Sequence, residues 1–304
     1  MNLKTVTYLT LLGMIWGSSF LFQRITVPVL GAPATAGLRT VLAALFLAGL
    51  LAVLRRPLNW RARWRDYVTM GFFSAGVPFL LFAYAAHYLP AGYSAVLNAT
   101  VPLFAVLLGW LAGPRPSASK LIGVVVGMVG VATLVRFGVV EPSWVTAAAF
   151  AGLLVASLMY AIGARMAKER FTGADPLAMA CGSLFGALLP QAPFALYGAP
   201  TIMPTAGVAM ALLALGIICT GLAYHLFYGL VRDAGAERAT TVTFIVPVFA
   251  QIWGAMFLGE AVTWASALGC GLVLFAVALI FERVPGLKPR VVVAAPALCE
   301  SKAA

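Results

Sequence analysis

Ten apolar runs of about 20 residues, separated by short polar loops, dominate the 304-residue chain. They fall at roughly 5–23, 34–54, 67–87, 92–112, 119–135, 144–164, 176–196, 206–230, 237–258 and 263–281. A helix rising 1.5 Å per residue needs about 20 such residues to cross a bilayer. Transmembrane strands would instead alternate in segments of about ten residues. Composition agrees with a membrane chain: 62% of residues are hydrophobic and only 10% are charged. A soluble domain carries about 25% charged residues. The sequence therefore predicts an all-α integral membrane protein with ten transmembrane helices. The net charge of +11 sits in short clusters between the runs, which excludes a nucleic-acid-binding face.

The loops alternate in charge. On one side fall seventeen of the twenty Lys and Arg residues, including Arg55, Arg56, Arg61, Arg63, Arg65, Arg115, Lys120, Arg165, Lys168 and Arg170; the other side holds only Arg24 and Arg136. This asymmetry predicts an inner (plasma) membrane protein with both termini cytoplasmic. The first run has no convincing cleavage site after it and is read as a retained span. Residues 286–304, rich in small residues and proline, are expected to form a mobile cytoplasmic tail. The four cysteines form no C-x-x-C pair or Cys/His cluster, so no metal and no cofactor is expected.

A phrase repeats. "VPLF" begins at Val101 and "VPVF" at Val246, each inside an apolar run. Shifting the chain by 145 positions aligns Pro102 with Pro247, Gly109 with Gly254, Gly71 with Gly216 and Gly76 with Gly221. Further upstream, a shift of 143 aligns Pro33 with Pro176. Two five-span repeats result, 1–140 and 141–285. Because five is odd, the second enters the membrane in the opposite sense, so the fold is expected to be two inverted five-helix repeats around a central cavity. Such repeats mark secondary transporters that bind substrate near the midplane and work by alternating access.

Each proline removes a backbone hydrogen bond and displaces the carbonyl four residues earlier, that of Asn98 or Thr243. Both prolines are read as kinks or gating hinges presenting a polar group at mid-depth. Further candidates for a substrate pocket are Trp16, Ser19, Phe79, Tyr84, Tyr160, Tyr224, His225 and Gln251. Thr240, Thr243, Pro247, Gln251 and Gly254 recur at helical spacing on one face. Paired glycines such as Gly13/Gly17, Gly123/Gly127 and Gly182/Gly186 suit close helix packing. Arg39 is the only charge well inside a span and is a possible partner for a substrate carboxylate near the outer mouth.

The residues "LLGMIWGSSF", Arg39, "VPLF" and "VPVFAQIWGAMFLGE" resemble the ten-span EamA-type exporters of the drug/metabolite transporter superfamily. That resemblance covers nearly the whole chain. It implies peripheral fifth and tenth spans and export of small metabolites, with aromatic or apolar amino acids as the favoured substrates. The membrane-embedded glutamate of small multidrug exporters is absent from the first span, which argues against cation/proton antiport of that type. A single embedded arginine argues against phosphorylated solutes such as nucleotide sugars, which need clustered cations. No embedded base pairs with Ser18 or Ser19 to suggest an enzyme. A non-transporting scaffold is the remaining alternative, and oligomeric state cannot be read.

Overall fold

The structure is a computed structural model describing residues 3–113, 115–197, 203–234 and 240–281. The predicted tail and the loop arginines Arg232 and Arg238 fall outside this set or its described side chains. Eight helices are long and apolar enough to cross a membrane, and two shorter apolar helices complete the run of ten. Among the described residues there are no strands.

Spans one and two are α1 (Leu3–Leu30) and α2 (Ala32–Val53), joined at Gly31, whose φ of 79° requires glycine. Span three is compound: α3 (Trp60–Gly71), a wide π-helical segment (Phe72–Gly76) and α4 (Val77–Ala85). Span four is broken into α5 (Ala91–Asn98) and α6 (Val101–Ala112). Span five is α7 (Ala118–Phe137). The second half follows the same plan. Its spans six and seven are α8 (Trp144–Arg170) and α9 (Pro176–Tyr197). Span eight is α10 (Ala206–Leu213), a π-helical segment (Ala214–Leu222) and α11 (Ala223–Ala234). Span nine is a 3-10 turn (Thr240–Phe244) leading into α12 (Val246–Leu258), and span ten is α13 (Trp264–Ile280).

The irregularities recur at repeat-equivalent positions. Both π-helical segments fall at the glycines that the 145-residue shift aligns: the first follows Gly71 and ends at Gly76, and the second contains both Gly216 and Gly221. Each is a place where the opposite half comes close. A Cβ on Gly71 would strike the α9 backbone at Ser183 O and Ala187 N, and one on Gly216 would meet Leu42 and Arg39 O of α2. A π-turn lengthens the hydrogen-bond step and strands carbonyls, which a bilayer does not satisfy. The chain answers locally. The Gln191 amide of α9 donates to Ala75 O at 3.3 Å and Gly76 O at 3.1 Å. In span eight, Thr220 Oγ1 donates five residues back to Leu215 O at 2.8 Å.

Packing follows the same exchange of halves. Helix α2 lies on α9, α1 on α12, α4 on α8, and α7 on α13 at the periphery. The small residues predicted to permit close approach do so: Gly13 and Gly17 face Ile245 and Phe249, and Gly123 faces Ala276. Two apolar clusters fill the interior, one around Leu89, Leu97, Leu153 and Val273, the other around Ala43, Leu47, Cys181 and Leu184. Tyr160 packs against both.

Pro102 and Pro247 sit at helix discontinuities. Each sits in the first turn of a new helix, after a break at Ala99–Thr100 or at Ile245. In a first turn the missing N–H has no partner to lose, so proline is well placed there. The break in span four exposes the Leu97 carbonyl, not only that of Asn98. Leu97 O accepts from Thr100 N–H at 3.1 Å, from Thr100 Oγ1 at 2.6 Å and from Ser157 Oγ of α8 at 2.9 Å. A serine from the other half thus closes the discontinuity.

Candidate functional site

Among the described residues, Arg39 is the charged residue buried within a span. It lies in the first half of α2 and is 8% exposed. Its Nε donates to Thr220 Oγ1 at 2.9 Å, and its guanidinium carbon stands 3.9 Å above the centroid of the Phe79 ring. Tyr160, Tyr224 and Cys219 lie within electrostatic reach of it. Four spans from both halves therefore converge on this guanidinium: α2, α4, α8 and span eight. Among the described residues it forms no ion pair, and the Thr220 contact is its one hydrogen bond. A buried cation over an aromatic face, with its terminal N–H groups uncommitted among the described residues, has the chemistry to receive an anionic group of planar geometry. Thr220 is held for that role because its own proton goes to Leu215 O.

Aromatic rings continue from this group. Tyr160 stacks on Phe82 at 5.9 Å, Phe82 meets Phe20 edge-on at 5.9 Å, and Trp16 tilts against Phe227 at 5.3 Å. Ser19 is buried but spends its proton on the Trp16 carbonyl of its own helix, 2.6 Å away. Tyr84 stands at the end of α4, half-buried, beside exposed Tyr88 at 5.2 Å. Thr243 lies in the 3-10 turn before Pro247.

A second polar feature lies on α5. Ser94 Oγ and Asn98 Oδ1, one turn apart, are buried without a hydrogen-bond partner among the described residues, as are Thr35 Oγ1 and Gln191 Oε1. Buried polar atoms are normally paired, because leaving one unmet costs about 1–3 kcal/mol. On α5 the two unmet atoms share one face of a short helix.

Two sequence candidates do not join these features. His225 is exposed, so helix α11 turns it away from the buried group. Gln251 packs against Gly92 and faces the Cys270 thiol, in an apolar groove of about 550 Å³ between α12 and α13. The period-3.6 stripe that suggested one face for Gln251 and Thr243 fails because the chain changes to 3-10 geometry at Thr240–Phe244. Thr220, Ser157 and the orphaned Ser94 outrank them. Thr220 is signalled by its place one turn before Tyr224; nothing in the sequence singles out Ser157.

One ion pair closes an end of the molecule. Glu260 accepts from Arg24 Nε at 3.2 Å and from Ala91 N–H at 3.1 and 2.8 Å. Burial pushes its carboxyl above the ordinary 4.5, more than the Ala91 and Arg24 donors pull it down. The folded chain therefore holds this proton more tightly than the unfolded chain does. Its contribution to stability is fully present below pH 4.5 and is lost as pH rises through the raised value. Melting temperature in detergent should accordingly fall with rising pH across that window, and Glu260→Gln should flatten that part of the profile.

The fold and the converging half-helices are those of a transporter family. The EamA-like transporter family matches the chain twice, over residues 3–136 and 147–282. This chain belongs to the EamA-like transporter family. The double match puts one family unit on each five-span half. Similar proteins include the inner membrane transporter YedA of Escherichia coli K12, 26% identical over 88% of this chain and 87% of its own. Protein PecM of Dickeya dadantii is 25% identical over 90% of this chain and 93% of its own. A solved crystal structure shares the fold, with a TM-score of 0.62 and 19% identity over 92% of this chain and 96% of that one. The chain is thus a multi-pass membrane transporter of the drug/metabolite transporter superfamily.

Proposed function

We propose that this transporter exports small carboxylate-bearing metabolites, with aromatic and apolar amino acids as the favoured substrates, by alternating access across the inner membrane with both termini cytoplasmic. The observation that carries the reading is Arg39: a buried guanidinium with no acidic partner among the described residues, set over Phe79 and held by Thr220. A substrate carboxylate supplies the missing counter-charge. Ser94 and Asn98, on α5, have unmet capacity to accept from an ammonium group, which suits a zwitterion. Tyr160, Tyr224, Phe79 and Trp16 provide flat apolar surface for the side chain. Pro102 and Pro247 place the helix breaks that leave these groups facing inward. The five-span repeats 1–140 and 141–285 are the moving units.

The test is flux in proteoliposomes. Radiolabelled phenylalanine, leucine and glutamate are offered beside phenethylamine, which lacks the carboxylate, with and without a pH gradient. Saturable flux of the apolar amino acids but not of the amine is expected. Asn98→Ala should lower that flux about tenfold, the value of one unmet buried hydrogen bond. Equal transport of phenethylamine would overturn the carboxylate reading, and no amino-acid flux from folded protein would overturn the substrate class.

A further inference from the structure

The two ends of the transporter are not built alike. At the end bearing the sparsely charged loops, three segments meet on one carboxylate. Arg24 comes from α1, Ala91 from the start of α5, and Glu260 from the loop after α12, so both halves are tied together. Arg24 also reaches the Ala86 carbonyl at 2.8 Å, the last turn of span three. The local backbone aims Glu260 at this junction. Gly259 adopts the left-handed conformation (φ 66°) that ends α12, and the Glu260 N–H then turns back to Gly254 O at 3.1 Å. The carboxylate rests so closely on Gly254 that a Cβ there would strike it.

The other end lacks this arrangement. The 145-residue shift pairs Glu260 with Arg115, a reversal of charge, and Arg115 is exposed with no ion pair among the described residues. The same shift pairs Gly254 with Gly109, around which a Cβ would meet nothing within 4 Å. One end is packed on a carboxylate and its equivalent is open. The latch is therefore not a packing necessity of the repeat.

We propose that Arg24 and Glu260 form a latch that closes the sparsely charged mouth between the two halves, and that every transport cycle breaks it. The chain carries its own link from site to latch. Glu260 holds the first residue of α5, and the orphaned acceptors Ser94 and Asn98 lie on the same eight-residue helix, a rigid rod of about 12 Å. Donors arriving at Ser94 and Asn98 pull on one part of α5 while Glu260 holds its N-terminus. An ion pair with 29% and 12% of its side chains exposed is accessible enough to open without burying a bare charge.

The latch is tested without any substrate, so its failure is separable from that of the substrate reading. Spin labels are placed at Tyr88→Cys and Val262→Cys, both exposed and beside the junction, in a chain whose four native cysteines are replaced by serine. Electron–electron distance measurements are made in lipid nanodiscs. The latched protein should give one dominant short distance. Glu260→Ala, which removes the bonds to both Ala91 and Arg24, should raise the fraction of a longer distance about tenfold. Arg24→Gln leaves the Ala91 bonds in place and should raise it less. If Glu260→Ala does not fold, Arg24→Gln alone carries the test. Distance distributions unchanged in the folded variants would overturn the proposal.

Discussion

Replacing Arg39 with Met should abolish carboxylate transport while leaving the protein as stable as before, or more so. The two halves of that expectation have one cause. A buried arginine without an acid partner has lost its water and gained little within the protein: one hydrogen bond to Thr220 at 2.9 Å and the Phe79 face. Removing it orphans no carboxylate. It leaves Thr220 Oγ1 with its own bond to Leu215 O. The desolvation cost disappears with the charge, so the melting temperature should hold or rise. Transport should respond in the opposite direction. Truncating one partner of a buried, hydrogen-bonded charge pair costs about 2–5 kcal/mol, so flux of an amino acid at subsaturating concentration should fall about 30-fold or more. Arg39→Lys keeps the charge but loses the planar fork, and should recover only part of the loss. If Arg39→Met unfolds the protein, the arginine holds helices together. If it transports normally, the carboxylate is bound elsewhere.

Much of this was legible before any coordinates. Apolar run length gave the ten spans, and the 145-residue shift gave the halves, because bilayer thickness and backbone satisfaction leave few alternatives. Arg39 stood out as a charge in an apolar run, but its surroundings did not. The close approach of α2 to span eight at Gly216, which buries it against Thr220, is a long-range contact that no local pattern reports. The prolines were paired in the sequence, but where each falls relative to its helix start was not legible. A proline signals a missing N–H equally well at a kink and in a first turn, and only the break at Ala99–Thr100 distinguishes the two. Periodicity placed Gln251 beside Thr243 on the assumption of one unbroken helix, which the 3-10 turn violates. Ser157 was invisible because its partner is a backbone carbonyl 60 residues away, freed only by that break.

The glycines at the π-helical segments carry the second large effect, and they should differ from each other. Gly71 faces backbone: a Cβ there would meet Ser183 O, Gly186 C and Ala187 N of α9. Backbone cannot rotate aside, so Gly71→Ala must push α3 from α9, breaking the closest contact between the halves at that level. Overpacking of this kind costs about 1–3 kcal/mol, and folded yield and melting temperature should both fall. Gly216 faces mainly the Leu42 side chain, at 2.6 Å from Cβ and 3.1 Å from Cδ1, with Arg39 O at 3.2 Å. The terminal carbon of a leucine can yield, but its Cβ moves only with the helix. Gly216→Ala should therefore keep more of the folded yield than Gly71→Ala while moving α2 aside. Arg39 rides on that helix, so the variant should raise KM for a carboxylate substrate more than it lowers the melting temperature. Gly49→Ala, where nothing lies within 4 Å, is the control and should change neither. Equal losses of stability at Gly71 and Gly216 would mean that both glycines serve packing alone. A KM effect confined to Gly216 would tie the second π-helical segment to the position of the guanidinium.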